Sequence, residues 1–168
     1  IQLSERLLAM EESATIAMSR KSRELKSEGK DVISLSLGEP DFNTPQFIKD
    51  AANEAMDNNF TKYMPVPGYD DLRESISNKF KRDNNLNYNK DQIVVSTGAK
   101  QSIANVVLTL INPGDEVIIP APFWVSYIEI VKVAGGVPVL VNAGIDKDFK
   151  ISGKDLAHAI TPKTKLMI

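Results

Sequence analysis

A short β-branched run, a glycine turn and an amphipathic run most restrict what this chain can fold into. Residues 92–95 (Gln-Ile-Val-Val) have the length and composition of a buried β-strand. In residues 103–110 the apolar side chains recur three, four and seven positions apart, which is the spacing of one helix face. Residues 96–101 (Ser-Thr-Gly-Ala-Lys-Gln) join the two runs, so the sequence predicts a strand–turn–helix unit.

Similar units recur along the rest of the chain. Further strands are predicted at residues 31–35, 116–119, 137–141 and 165–168. Further helices are predicted at residues 13–28, from 44 onward, from about 70 to 82, at 123–134 and at 155–160. Strands that alternate with helices form βαβ units, in which a mostly parallel sheet is covered by helices on both faces. The predicted fold class is therefore α/β.

The glycine turn has two readings. Gly98 lets backbone N–H groups approach a ligand closely, and the positive end of the following helix favours an anion. Taken alone, the turn indicates an ordinary βα connection more strongly than a phosphate site. Gly98 and Pro122 both follow predicted strands, so we expect them at one edge of the sheet, where ligands of such folds bind.

Composition excludes several classes of function. The formal net charge is −2 and no basic run contains interleaved aromatic residues, which argues against nucleic-acid binding. The absence of cysteine rules out disulfides and thiolate chemistry, and the acidic residues show no metal-ligand pattern. No apolar run approaches the roughly 18–20 residues of a membrane span. We therefore expect a soluble cytoplasmic protein without a metal.

Four segments together carry a family resemblance. They are residues 36–42 (Ser-Leu-Gly-Glu-Pro-Asp-Phe), 61–63 (Thr-Lys-Tyr), 96–101 and 115–127 (Asp-Glu-Val-Ile-Ile-Pro-Ala-Pro-Phe-Trp-Val-Ser-Tyr). In this order the chain resembles the class I aminotransferases, which are fold type I enzymes that use pyridoxal 5'-phosphate. More narrowly, it resembles their bacterial aspartate aminotransferase branch. The resemblance extends from about Ser13 to the last residue.

The resemblance implies a set of cofactor-binding residues. The backbone N–H groups of Ala99 and Lys100, following Gly98, would hold the cofactor phosphate. Trp124, the single tryptophan, would stack on the pyridine ring. Tyr63 would reach across a dimer interface to the phosphate of the partner's cofactor. The alternatives are a core anchor for Trp124 and an interfacial or half-buried tyrosine for Tyr63.

The resemblance also implies substrate contacts. The backbone N–H of Gly38 would contact the substrate carboxylate, and Lys100 would reach the distal carboxylate of aspartate or glutamate. Trp124 would border the same substrate, and Ser13 and Thr15 align with positions that line the entrance. The implied activity is transfer of an amino group between L-aspartate and 2-oxoglutarate, with a small amino acid and a 2-oxo acid as partners.

One departure from the branch bears on specificity. Members commonly have Lys-Pro before the Ser-x-Thr near the N-terminus, whereas this chain has Glu11 and Glu12 there. Acids in place of a basic residue argue against a broad specificity that includes prephenate. The alternatives left open are another aminotransferase or a β-lyase of the same fold, or a non-catalytic aminotransferase-like regulator. Lys100 distinguishes among the enzymes, since it favours an acidic substrate.

The resemblance finally implies a domain organisation. Residues 1–43 would form an N-terminal arm and a segment of the small domain, and residues 44–168 the first part of the large cofactor-binding domain. The lysine that holds the cofactor covalently and the arginine that binds the substrate α-carboxylate are expected beyond Ile168. We therefore assign no catalytic residue, expect this portion alone to be inactive, and expect the longer enzyme to be a homodimer.

Overall fold

A computed structural model describes residues 2–168, which divide into two compact units. The first unit consists of residues 2–38 and 98–168, and the second of residues 39–97. The α-helices of the described residues are α1 (Glu5–Leu8), α2 (Ala14–Ser27), α3 (Gln46–Asp57), α4 (Asp70–Asn84), α5 (Ala99–Leu110), α6 (Ser126–Val133) and α7 (Gly153–Ala159). Their β-strands are β1 (Glu116–Ala121), β2 (Val137–Asn142) and β3 (Thr164–Met167).

The three strands form one parallel sheet in the first unit. The strand order is β2-β1-β3, so β1 is central. Glu116 at the start of β1 pairs with Val137 on β2 and with Thr164 on β3. Helix α6 connects β1 to β2, and α7 connects β2 to β3. The prediction of an α/β fold with a parallel sheet and flanking helices is confirmed.

The central strand is buried because both of its faces are covered. Val117 and Ile119 are fully buried and point to one face, where they pack with Val107 of α5 and Val131 of α6. Ile118 alternates to the opposite face and is 1% exposed. The continuous apolar run of β1 is thus what a parallel strand covered on both sides requires.

A glycine at the start of β2 allows close packing against the core. A Cβ built on Gly136 would lie 2.7 Å from Ile111 Cγ2 and 3.0 Å from Val131 Cγ1. Gly136→Ala is therefore expected to lower the free energy of unfolding by about 1–3 kcal/mol through overpacking. The measurement is urea-induced unfolding of the complete protein. Gly153→Ala is the control, because a Cβ there meets nothing within 4 Å; an equal loss in both variants would contradict the packing explanation.

The predicted strand at residues 31–35 is wrong. These residues form no strand, and Ile33 and Leu35 are 84% and 90% exposed. A strand exists only where a neighbouring strand accepts and donates its backbone hydrogen bonds. The β-branched composition of this run indicated a strand but did not supply that neighbour.

The predicted strand at residues 92–95 is wrong for the same reason. A 3₁₀ turn covers Lys90–Gln92, and no sheet ladder follows it. The backbone N–H of Val95 donates to the carbonyl of Pro67 at 2.9 Å, and Val94 is 66% exposed. The chain before the glycine turn is thus extended but unpaired, within the residues that the structure describes.

Helix α5 begins at Ala99, directly after Gly98, so Lys100 lies in its first turn, as the sequence predicted. One helix start differs from the sequence prediction in a way that affects the site. Helix α6 begins at Ser126, so residues 122–125 form a loop after β1 and place Trp124 outside the helix. The Ala121–Pro122 peptide bond is cis.

A buried arginine organises the second unit. Arg73 of α4 is 7% exposed, and its guanidinium donates twice to the carbonyl of Lys90, at 3.0 and 2.8 Å. It also pairs with Asp70 at 3.1 Å and with Asp91 at 3.0 Å. A buried guanidinium needs acceptors for its N–H donors, and the 3₁₀ turn of residues 90–92 supplies most of them. These contacts therefore hold the turn against α4.

The predicted domain boundary at residues 43/44 stays a prediction. Among residues 2–168, no helix has the length and apolar character needed to cross a bilayer. The same residues contain no group of three or more His, Asp or Glu side chains placed to hold a metal ion.

Candidate functional site

The N-terminus of α5 forms a turn that can receive an anion. Gly98 has φ +85° and ψ 162°, and its carbonyl accepts from the N–H groups of Gln101 and Ser102 at 3.1 and 3.4 Å. The N–H groups of Ala99 and Lys100 precede these bonds and so have no acceptor within the helix. A Cβ built on Gly98 would meet nothing within 4 Å, so the turn faces open space. Two backbone donors and the positive end of a 12-residue helix therefore coincide here.

Lys100 and Trp124 are in contact. The Nζ of Lys100 lies 4.4 Å from the centroid of the Trp124 ring, a cation–π distance. The ring is 43% exposed, and Tyr127 packs edge-on against it with ring centroids 5.8 Å apart and planes at 87°. The structure thus brings together the glycine turn, a cation and a partly exposed aromatic face. The sequence predicted this proximity from strand ends, although residues 92–95 are not a strand.

A cavity of about 540 Å³ adjoins Lys100 in the same unit. Lys100, Ala104 and Leu108 form one wall, since they recur every four residues along α5. Residues 10–14 form a second wall. The rest of the cavity lining comes from the loop after β1 and from helix α6, namely Phe123, Val125, Ser126, Ile128, Glu129, Ile130 and Val133. Most of the lining surface is apolar, and Lys100 is the single cation among the lining residues that the structure describes.

The other residues that the sequence predicted for the site are Gly38, Tyr63, Ser13 and Thr15. Gly38 is exposed in a loop of the first unit, and a Cβ there would meet nothing within 4 Å. Tyr63 belongs to the second unit, where its side chain is fully exposed. Ser13 lines the cavity beside Lys100, and Thr15 is half-buried on α2. The roles of these residues stay predictions.

Sequence reasoning gave no role to Tyr127 or to Glu129. The carboxylate of Glu129 accepts from the backbone N–H of Glu11 at 3.2 Å and pairs with Lys132 at 3.0 Å. The three-residue spacing of Glu129 and Lys132 indicates a helical ion pair. The link to Glu11, however, joins residues 118 positions apart and has no local signal.

The backbone of this chain is similar to the backbones of solved aminotransferases. Its backbone superposes on a Thermus thermophilus aspartate aminotransferase solved with maleate, with a TM-score of 0.95 and 42% identity over 99% of this chain and 44% of that one. It is also similar to an alanine aminotransferase from Pyrococcus furiosus, with a TM-score of 0.93 and 30% identity over 99% of this chain and 43% of that one.

Sequence comparison gives the family directly. The profile of the family described as aminotransferase class I and II matches residues 30–168, so the chain belongs to that family. It is 51% identical over its whole length to an aspartate/prephenate aminotransferase from Nitrosomonas europaea. It is 52% identical over 99% of its length to a probable aspartate/prephenate aminotransferase from Rickettsia bellii. The chain spans about 42% of the length of each of these two relatives.

Proposed function

We propose that the protein is a pyridoxal 5'-phosphate-dependent aminotransferase that converts L-aspartate and 2-oxoglutarate into oxaloacetate and L-glutamate. The observation that carries the proposal is the position of Lys100, which opens α5 beside the Gly98 turn with its ammonium over Trp124. Similarity to proteins named as aspartate and aspartate/prephenate aminotransferases supports it.

The residues of the turn fit the cofactor. A phosphate needs several donors and a positive field, and the N–H groups of Ala99 and Lys100 at the start of α5 supply both. The open space in front of Gly98 leaves room for the phosphate oxygens. The partly exposed face of Trp124 is suited to stack on a pyridine ring and to keep water from it. Bound there, pyridoxal 5'-phosphate would supply an electron sink for the amino acid that loses its α-proton.

Lys100 would select the substrate. Its ammonium is a compact charge on a flexible stem, and it lines a largely apolar cavity. An acidic side chain gains from this charge, whereas an apolar side chain leaves the ammonium without a partner. Glu11 and Glu12 line the same cavity, so these two positions lack the basic residue that would favour a bulky diacid such as prephenate. We therefore propose 2-oxoglutarate as the acceptor.

A second candidate is an aminotransferase for neutral amino acids, which the likeness to the alanine aminotransferase from Pyrococcus furiosus favours. A β-lyase of the same fold and a non-catalytic regulator are further alternatives. Lys100 separates the candidates, since a neutral amino acid offers the ammonium no side-chain carboxylate.

The direct test is an assay of the complete protein with added pyridoxal 5'-phosphate. Oxaloacetate is followed through its reduction by NADH and malate dehydrogenase, and alanine replaces aspartate in a parallel reaction followed through its pyruvate. We expect aspartate to react with the higher kcat/KM. Preference for alanine would favour the second candidate, and the absence of any transfer would overturn both.

We also propose that the complete enzyme is a homodimer in which Tyr63 donates to the phosphate of the neighbouring subunit's cofactor. The phenol of Tyr63 is fully exposed, so it is accessible to such a partner. Tyr63→Phe is expected to weaken cofactor binding by about 0.5–3 kcal/mol without lowering the Tm of the cofactor-free protein, because it removes one hydroxyl donor.

The measurement is titration of cofactor-free protein with pyridoxal 5'-phosphate, together with its sedimentation velocity. Tyr88→Phe is the matched control, since Tyr88 lies in the same unit with its ring packed edge-on against Phe80. Unchanged cofactor affinity in the Tyr63 variant, or a monomer with full affinity, would count against the cross-subunit role.

A further inference from the structure

One hydrogen bond ties the N-terminal segment, defined here as residues 10–14, to helix α6. The backbone N–H of Glu11 donates to Oε2 of Glu129 at 3.2 Å, across 118 positions of sequence. The other oxygen of that carboxylate, Oε1, accepts from Nζ of Lys132 at 3.0 Å. Both side chains are mostly covered, with 19% of Glu129 and 28% of Lys132 exposed.

The carboxylate of Glu129 is the group that holds the N-terminal segment to α6 in this contact. A carboxylate held in partly buried surroundings needs a neutralising partner, and Lys132 provides it from one turn further along α6. Glu129 lies in the first turn of α6, where the positive end of the helix also favours a negative charge. The donor is a backbone N–H, so the contact does not depend on the side chain at position 11. A charge-assisted bond of this kind is stronger than a neutral one.

The segment held by this bond is a wall of the cavity beside Lys100. Residues 10–14 line the cavity together with Ala104 and Leu108 of α5 and Ile130 and Val133 of α6. Ser13 of the segment and Lys100 of α5 both belong to this lining. Moving the segment away from α6 would widen the cavity and admit more water beside Lys100, and this water would weaken any charge pairing there by screening it.

We propose that Glu129 is a positioning residue for substrate binding, which holds the N-terminal segment against α6 and so keeps one wall of the cavity beside Lys100 in place. The part of this proposal that concerns substrate rests on the proposed function. The part that concerns the segment does not, because the contact and the cavity are present in the chain itself.

The first experiment measures the contact without any substrate. Hydrogen exchange of the Glu11 amide is followed in the complete protein by mass spectrometry with fragmentation to single residues. Glu129→Leu removes the acceptor while adding an apolar side chain to an apolar wall, and we expect exchange to speed up on the order of ten- to a hundredfold. Glu129→Gln keeps a carbonyl acceptor and should retain most of the protection, which also guards against a Leu variant that fails to fold. Unchanged exchange in Glu129→Leu would overturn the proposal.

The second experiment tests the effect on substrate. In Glu129→Leu we expect KM for aspartate to rise several-fold while kcat stays near the wild-type value, because the residue acts on the binding wall and not on the reacting atoms. Glu24→Leu is the matched control, since it removes a helical ion pair with Lys21 that lies outside the cavity. Faster exchange with an unchanged KM would overturn the positioning role while leaving the proposed function intact. A wild-type protein without aminotransferase activity would instead overturn the proposed function. The exchange data would still test whether Glu129 holds the N-terminal segment against α6.

Discussion

Replacement of Lys100 by alanine is expected to lower kcat/KM for aspartate by about ten- to a hundredfold, since an ammonium–carboxylate contact contributes roughly 1.5–3 kcal/mol. Alanine and phenylalanine present no side-chain carboxylate, so their kcat/KM should change little. The backbone N–H of residue 100 is unaffected by the substitution, and affinity for pyridoxal 5'-phosphate should therefore be nearly retained. The measurement is steady-state kinetics with the three amino donors in the complete protein.

Lys154→Ala is the control for this prediction, because Lys154 is an exposed lysine of α7 that does not line the cavity. Lys154→Ala should leave kcat/KM unchanged for aspartate, alanine and phenylalanine. Equal losses for aspartate, alanine and phenylalanine in Lys100→Ala would mean that Lys100 only builds the turn at the start of α5. The proposal would then reduce to an aminotransferase of unspecified substrate.

Replacement of Ile119 by alanine is expected to lower the free energy of unfolding by about 2–5 kcal/mol, the usual range for truncating a buried isoleucine. Ile119 is fully buried in the central strand β1, where it packs with Val107 of α5 and Val131 of α6. The lost methyl groups would leave a cavity that neighbouring strands on both sides prevent from collapsing. Urea unfolding followed by far-ultraviolet circular dichroism measures the change.

The matched variant is Ile145→Ala, since Ile145 is 81% exposed in the same unit. Its effect should stay within about 0.5 kcal/mol. If both isoleucines gave the same loss, β1 would not be the centre of the core.

The helix at the candidate site could be predicted from local pattern because its determinants are neighbours in sequence. Gly98 with φ +85° and the apolar spacing that follows are enough to define a turn leading into α5. The same applies to the strand predicted at residues 116–119, in which the apolar run of residues 117–119 matches burial on both faces. Four short segments in fixed order also sufficed to indicate the aminotransferase family.

The strands at residues 31–35 and 92–95 show where local pattern fails. Their composition is that of a strand, yet Val94 is 66% exposed and the Val95 N–H donates to Pro67 and not to a neighbouring strand. Backbone pairing depends on a partner that is distant in sequence, and β propensity reports only how well a side chain fits a pleated surface.

By itself, the sequence determined the parallel α/β architecture and the turn at Gly98, since turn chemistry and hydrophobic period are properties of adjacent residues. The candidate roles of Lys100 and Trp124 followed from the family resemblance and stay predictions. The tertiary structure alone decided that Lys100 lies over Trp124 at 4.4 Å and that Glu129 accepts from Glu11. These contacts join residues 24 and 118 positions apart in the sequence. They form only once the sheet and its helices have packed, so no window of sequence contains them.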